Sequence, residues 1–232
     1  MTKRPMKLIV YDCVSPDALT AKYGPSGNHI INWIQPHLPE AELTRLDIPA
    51  GDALPQPGDY DGLIISGSEK GVYDDTPWML PLRANIEAMR AAGTPIFGIC
   101  FGHQLMADVF GGKAEKADKG FAAGARSFET ADGELPAHVA HQDQVTKVPP
   151  GADVIASAPY CPAAALSYDF PALSVQFHPE YFEGFALDLI DMFGEYLMSD
   201  EEIAAARASV NGEVSTDLYG SETAAFFRKH IG

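Results

Sequence analysis

Short apolar runs alternate with helix-like stretches through the first hundred residues. Lys7–Tyr11, Leu43–Ile48, Gly62–Ser66 and Ile96–Ile99 read as strands. Strands apolar on both faces belong in a sheet covered on both sides, which is the parallel arrangement. Between them Asn28–Leu38 and Pro77–Ala92 read as helices, with Pro81 tolerable only near a helix start. The alternation predicts an α/β fold built on a doubly wound, mostly parallel sheet. After Gly111-Gly112 the texture changes. Val154–Ala158, Ala163–Tyr168 and Leu173–Phe177 are short strand-like pieces separated by Pro, Gly and Asp. They predict an antiparallel extension of the same sheet.

Phe182–Leu197 returns to a helical period, and its stripe of Phe182, Phe185, Leu189, Met192, Phe193 and Tyr196 is expected to pack on the sheet. Two further helices, Asp200–Val210 and Ser221–His230, follow. No long polar linker marks a boundary, so 1–198 reads as one domain and 199–232 as its C-terminal helical extension.

At 232 residues, 46% hydrophobic and 21% charged, the chain has the make-up of a soluble globular protein with a substantial core. Sixteen basic residues against 32 acidic ones leave a net charge of -16, which argues against a nucleic-acid partner. The basic start Met1-Thr2-Lys3-Arg4-Pro5 is followed by only Leu8-Ile9-Val10. That run is too short for a signal-peptide core or a membrane span. Cys13, Cys100 and Cys161 are few and widely spaced, with no C-x-x-C pair, which suits a reducing compartment. A cytoplasmic location without a membrane partner is therefore expected.

The candidate chemistry centres on Gly98-Ile-Cys100-Phe-Gly102, where a buried strand meets a helix. A nucleophile on so sharp a turn needs small residues two positions either side. The helix behind it aims free N–H groups and the positive end of its dipole at the sulfur, favouring thiolate. The N–H of Phe101 is placed to donate to an oxyanion. Taken alone, the segment is equally compatible with a buried structural thiol.

His29, His37, His138 and His230 lie in polar or terminal contexts without a companion, and His103 reads as a packing or capping residue of the elbow helix. His178 differs, because it follows a strand and stands two residues from Glu180 across Pro179. In extended backbone i and i+2 share a face, so the carboxylate can orient the imidazole and leave its other nitrogen for substrate.

Gly98-Ile-Cys100-Phe-Gly102-His103-Gln104 and Gln176-Phe-His178-Pro-Glu180 resemble the two signature motifs of class I (triad-type) glutamine amidotransferases. Ile65-Ser66-Gly67-Ser68 is similar to the loop supplying a second oxyanion donor, and His141-Gln142-Asp143-Gln144-Val145 to the strand that holds the substrate's α-amino and carboxylate groups. The resemblance covers about residues 7–197 and is nearest to stand-alone proteins related to the amidotransferase domain of GMP synthase. It implies a flavodoxin-like fold and hydrolysis of a γ-carboxamide, with Cys100 as nucleophile, His178 as base and acid, and Glu180 as its orienter. It further implies Gly67 and Phe101 as oxyanion donors, and Ser68, Gln104, Gln142 and Asp143 around the substrate. Ser68 departs from the family, which commonly has a second glycine there. No P-loop is present, and neither metal nor cofactor is expected. The acidic tail is too short for a synthetase. The expected partners are glutamine or a γ-glutamyl compound, a synthetase or other ammonia-acceptor subunit, and a second copy of the chain. A γ-glutamyl peptidase or transferase, or a regulatory protein without turnover, are the competing readings.

Overall fold

The computed structural model describes residues 4–231; Met1–Lys3, in the basic start, lie outside the described residues. In chain order the elements are β1 (Met6–Asp12), α1 (Ala18–Tyr23), α2 (Ser26–Ile34), β2 (Ala41–Asp47), β3 (Gly62–Ile65), α3 (Met79–Ala91), β4 (Ile96–Ile99) and α4 (Phe101–Val109). There follow β5 (Lys113–Lys116), β6 (Ala122–Thr130), β7 (Gly133–His141), β8 (Asp143–Lys147), β9 (Ala152–Ala158), β10 (Cys161–Tyr168) and β11 (Ala172–Val175). Helices α5 (Glu183–Leu197), α6 (Asp200–Val210) and α7 (Thr216–Ile231) close the chain.

Nine strands form one sheet in the order β2-β1-β3-β4-β11-β10-β9-β6-β7, and β5 pairs with β8 in a second, two-stranded sheet. From β2 to β11 the pairings are parallel, and from β11 to β7 antiparallel. The parallel half has an apolar core on each face. Leu8 and Val10 of β1 point to the side of Trp33, Phe97 and Phe227, whereas Ile9 and Tyr11 point to the side of Leu82, Ile86, Phe101 and Leu105. Period-2 alternation of wholly apolar strands thus buries both sheet faces, as the composition of the runs demands.

Strand β11 joins the two halves and positions the site. It runs parallel to β4 with Val175 opposite Ile99, and the Cys100 N–H donates to the Val175 carbonyl at 2.8 Å. The chain leaving β4 at Cys100 and the chain leaving β11 toward His178 therefore emerge side by side at the carboxyl edge, where open α/β sheets carry their sites. The antiparallel half curls back, so that β7 meets this exit in a bridge between His138 and His178, with the His178 N–H donating to the His138 carbonyl at 2.8 Å.

Several elements differ from the sequence expectations. Helix α1 was not anticipated; Asp17 caps it in a reciprocal box with Thr20, a signal short enough to be lost in a loop. Strands β6 and β7 were also unforeseen. Their hairpin runs in full register from Ala122↔His141 to Thr130↔Gly133, yet it is rich in alanine and contains Pro136. Proline is tolerated because β7 lies at the end of the strand order. Strand β11 stops at Val175, so His178 and Glu180 sit beyond it rather than on a continuing strand. The stripe expected to pack α5 on the sheet does so only in part. Phe185 and Leu189 of the stripe cluster with Leu19 of α1 and touch the sheet through Ala140 of β7, and Tyr196 is 82% exposed. The further contact with the sheet comes from outside the stripe, where Ala186 and Ile190 cluster with Ala123 of β6. No helix of the described residues is long and apolar enough to cross a membrane.

Candidate active site

The Cys100 backbone is the one described non-glycine residue with positive φ, at φ 50° and ψ -101°. Such a conformation costs on the order of 1–3 kcal/mol and persists only where the surroundings impose it. The surroundings do so through two glycines. A Cβ on Gly98 would lie 2.5 Å from Met106 Sδ and 2.7 Å from the Gly102 carbonyl oxygen, and one on Gly102 would lie 2.5 Å from the Ile65 carbonyl oxygen. Neither φ is positive, so close approach is what excludes a side chain here. Gly102→Ala should accordingly destabilise the protein by about 1–3 kcal/mol, the usual cost of overpacking a tight core. An unchanged denaturant midpoint would show that the elbow is not the crowded turn described.

Cys100 stands at the N-terminus of α4, whose first N–H, that of Phe101, has no intrahelical acceptor. Free N–H groups and the helix dipole both favour negative charge at Sγ. Behind the sulfur lies a relay of amides: Asp143 O accepts from Gln104 Nε2 at 2.8 Å, Gln104 Nε2 also donates to Gln176 Oε1 at 3.1 Å, and Gln176 Nε2 donates to Cys100 Sγ at 3.6 Å. Gln176 was not among the expected site residues. Its signal was available, since it precedes His178 by two positions.

His178 Nδ1 lies 2.7 Å from Glu180 Oε1, with the two side chains 3% and 0% exposed. The other ring nitrogen lies on the side of Cys100: a Cβ placed on Gly67 would be 3.8 Å from His178 Nε2 and 3.7 Å from Cys100 Cβ. Burial works against the imidazolium, but Glu180 and then Cys100 more than offset it, raising the His178 pKa to about 10. The Tyr181 ring stacks on the imidazole at 3.9 Å with planes 7° apart, fixing its tilt. On the other side is Gly67, where a Cβ would approach His178 Cε1 to 2.9 Å, so the ring can sit there only against glycine.

The loop after β3 is tied to the β1 exit: Ser66 Oγ accepts from the Cys13 N–H at 2.8 Å and donates to the Gly67 carbonyl at 2.7 Å. Ser68, the departure from the expected glycine, accepts the Lys70 N–H on its hydroxyl at 3.1 Å. Cys100, His178, Gly67, Ser68, Gln104, Gln142 and Asp143 all line one cleft of about 360 Å³; Glu180 and the Phe101 side chain lie buried behind it. Within it the Asp143 carbonyl is taken by Gln104 and His141 Nδ1, and the Asp143 carboxylate interacts with the Tyr73 hydroxyl.

Other histidines are buried too. His103 bridges Ser174 Oγ at 2.8 Å and the Ala163 carbonyl at 3.0 Å, tying α4 to β11 and β10, and burial lowers its pKa to about 4. His29 and His138, whose sequence contexts are polar, are 7% and 3% exposed, and His138 directly adjoins His178. Among the described residues no group of three or more His, Cys, Asp or Glu could hold a metal ion.

Residues 37–186 match the family model described as Glutamine amidotransferase class-I. Gamma-glutamyl peptidase 3 of Arabidopsis thaliana is 32% identical over 160 residues, covering 62% of this chain and 64% of that protein. A glutamine-hydrolyzing GMP synthase of Burkholderia mallei is 32% identical over 205 residues, covering 74% of this chain and 37% of that protein. The chain thus spans less than two thirds of the length of either relative. Crystal structures of glutamine amidotransferases from Thermotoga maritima and Methylobacillus flagellatus superpose with TM-scores of 0.75 and 0.74 at 16% and 21% identity. Each alignment covers 99% of this chain, with 99% and 96% of the respective structures, and shares its fold.

Proposed function

The chain belongs to the class I glutamine amidotransferase family, and from that membership we propose that it cleaves the γ-carboxamide of glutamine or of a γ-glutamyl compound through a Cys100-His178-Glu180 triad. One observation carries the reading: a strained cysteine at a helix N-terminus stands beside a histidine whose far nitrogen is held 2.7 Å from a buried carboxylate. This is the nucleophile, base and orienter arrangement of covalent acyl transfer.

In the proposed cycle Cys100 Sγ attacks the γ-carbonyl carbon and the C=O electron pair moves to oxygen. The N–H groups of Gly67 and Phe101 donate to that oxyanion, and fixed donors of this kind are each worth about 10²–10³ in kcat. Collapse breaks the C–N bond, and His178 gives its proton to the departing nitrogen. A γ-glutamyl thioester remains on Cys100. Water then loses a proton to His178 and attacks the thioester, and the electron pair of the breaking C–S bond returns to sulfur. The products are glutamate and ammonia or an amine. Glu180 keeps the Nδ1–H of His178 directed at its carboxylate, so that the other nitrogen exchanges the proton, and balances the charge of the imidazolium. Ser68, Gln104, Gln142 and Asp143 would surround the glutamyl moiety.

A relative named as a GMP synthase supports a synthetase or other acceptor subunit for the ammonia. A relative named as a γ-glutamyl peptidase supports a second reading, cleavage or transfer on a γ-glutamyl conjugate. The test is direct: mix the protein with glutamine and with γ-glutamyl peptides, quench in acid, and measure intact mass. A γ-glutamyl adduct is expected on wild type and absent from Cys100→Ser. No adduct, with no Cys100-dependent turnover of any γ-glutamyl compound, would leave a regulatory protein as the better description.

A further inference from the structure

We propose that the cleft carries a subsite for a bulky apolar leaving group, so that the preferred substrate is a γ-glutamyl amide whose amine bears an aromatic or large aliphatic substituent. The inference rests on the acyl-transfer reading above and adds the chemistry of the departing half.

The subsite begins at His178 and runs outward along one ridge. Phe185, Leu189 and Phe193 recur every four residues on α5 and so share one helix face, and Tyr181 precedes them in the turn leading into the helix. All four line the same cleft as Cys100. Contact is continuous at its inner end, with His178 and Tyr181 stacked at 3.9 Å and Tyr181 and Phe185 centroids 4.7 Å apart. Leu19 of α1 and Phe121 pack in one apolar cluster with Phe185, Leu189 and Phe193 and extend this lining of the cleft, the Phe121 ring lying 6.2 Å from that of Phe193. Within this stretch of cleft the chain offers carbon surface.

The side matters as much as the polarity. In amide cleavage the histidine delivers a proton to the departing nitrogen, so whatever that nitrogen carries must lie next to the imidazole. The ridge begins there. The amide and carboxylate groups of Gln104 and Asp143 line the same cleft and suit the charged glutamyl moiety. A volume of about 360 Å³ is that of sites for drug-sized ligands and exceeds what one amino acid fills. Ammonia, as the leaving group of free glutamine, would leave the ridge empty.

The experiment compares kcat/KM for γ-glutamyl-phenylalanine, γ-glutamyl-glycine and glutamine on wild type, Phe193→Ser and Leu189→Ser. Burying an aromatic side chain should favour γ-glutamyl-phenylalanine over γ-glutamyl-glycine by about 10–100-fold on wild type. Either substitution should reduce that ratio several-fold or more. A ratio of two substrates on one preparation does not depend on the fraction folded. A wild-type ratio near one, or a ratio unmoved by both substitutions, overturns the subsite while leaving the triad reading intact. Absence of Cys100-dependent cleavage of all three substrates overturns both.

Discussion

Replacing Cys100 by alanine is expected to reduce kcat/KM on any γ-glutamyl substrate by more than about 10⁴-fold, the scale of loss when the nucleophile of an interdependent triad is removed. The backbone should survive, because alanine fits a turn already shaped for a side chain of similar length. Neither of the other thiols can substitute. Cys13 and Cys161 are buried, and burial raises both pKa values, that of Cys161 to about 12. They remain protonated where Cys100 has a helix N-terminus and an imidazole beside it. Initial rates of wild type and variant at matched folded concentration, judged by circular dichroism, decide the matter. Activity within tenfold of wild type would mean that the nucleophile lies elsewhere.

Glu180→Gln is expected to lower kcat by about 10²–10⁴-fold, because an amide can present its NH₂ to Nδ1 and select the wrong tautomer. The same substitution should change how stability depends on pH. His178 is opposed by burial and raised by Glu180 and Cys100 from 6.5 to about 10. A group whose folded pKa exceeds its unfolded value binds more protons in the native state across that interval. Its contribution is therefore complete below pH 6.5 and lost as pH rises toward about 10. Removing the Glu180 charge lowers the folded pKa, so the fall in stability across this window should be smaller in the variant. Urea denaturation of both proteins across the window measures the difference. Parallel curves would show that Glu180 does not set the charge state of His178.

Much of this site was legible because its requirements are local. The elbow announces itself through Gly98 and Gly102 around Cys100 at a strand-to-helix junction, and the structure gives both glycines steric reasons to be there. Lys7–Tyr11, Gly62–Ser66 and Ile96–Ile99 announced a parallel sheet for an equally local reason, since both their faces are apolar; Leu43–Ile48, with Thr44, Arg45 and Asp47, forms the strand at the end of the order. Other features depended on distant partners. Pro136 and the alanines of the β6-β7 hairpin give weak strand signals, and the hairpin forms because it pairs along its whole length and folds back to His178. His138 read as an isolated polar residue for the same cause. The aromatic stripe of α5 had a clear period, but a period cannot say what lies opposite; α1, a helix of six residues held by its Asp17 cap, supplies part of that wall.

The α/β class, the glycine-flanked turn at Cys100 and the His178–Glu180 pair were readable from the sequence, since each depends on spacing along a few residues. Tertiary structure alone decided that Val175 lies opposite Ile99, which brings Cys100 and His178 together across 78 residues of chain. It also decided that Gln176 reaches the sulfur and that Tyr181 covers the imidazole. The physical reason is that strand register and ring stacking are settled by packing between segments far apart in the chain, where local pattern carries no information.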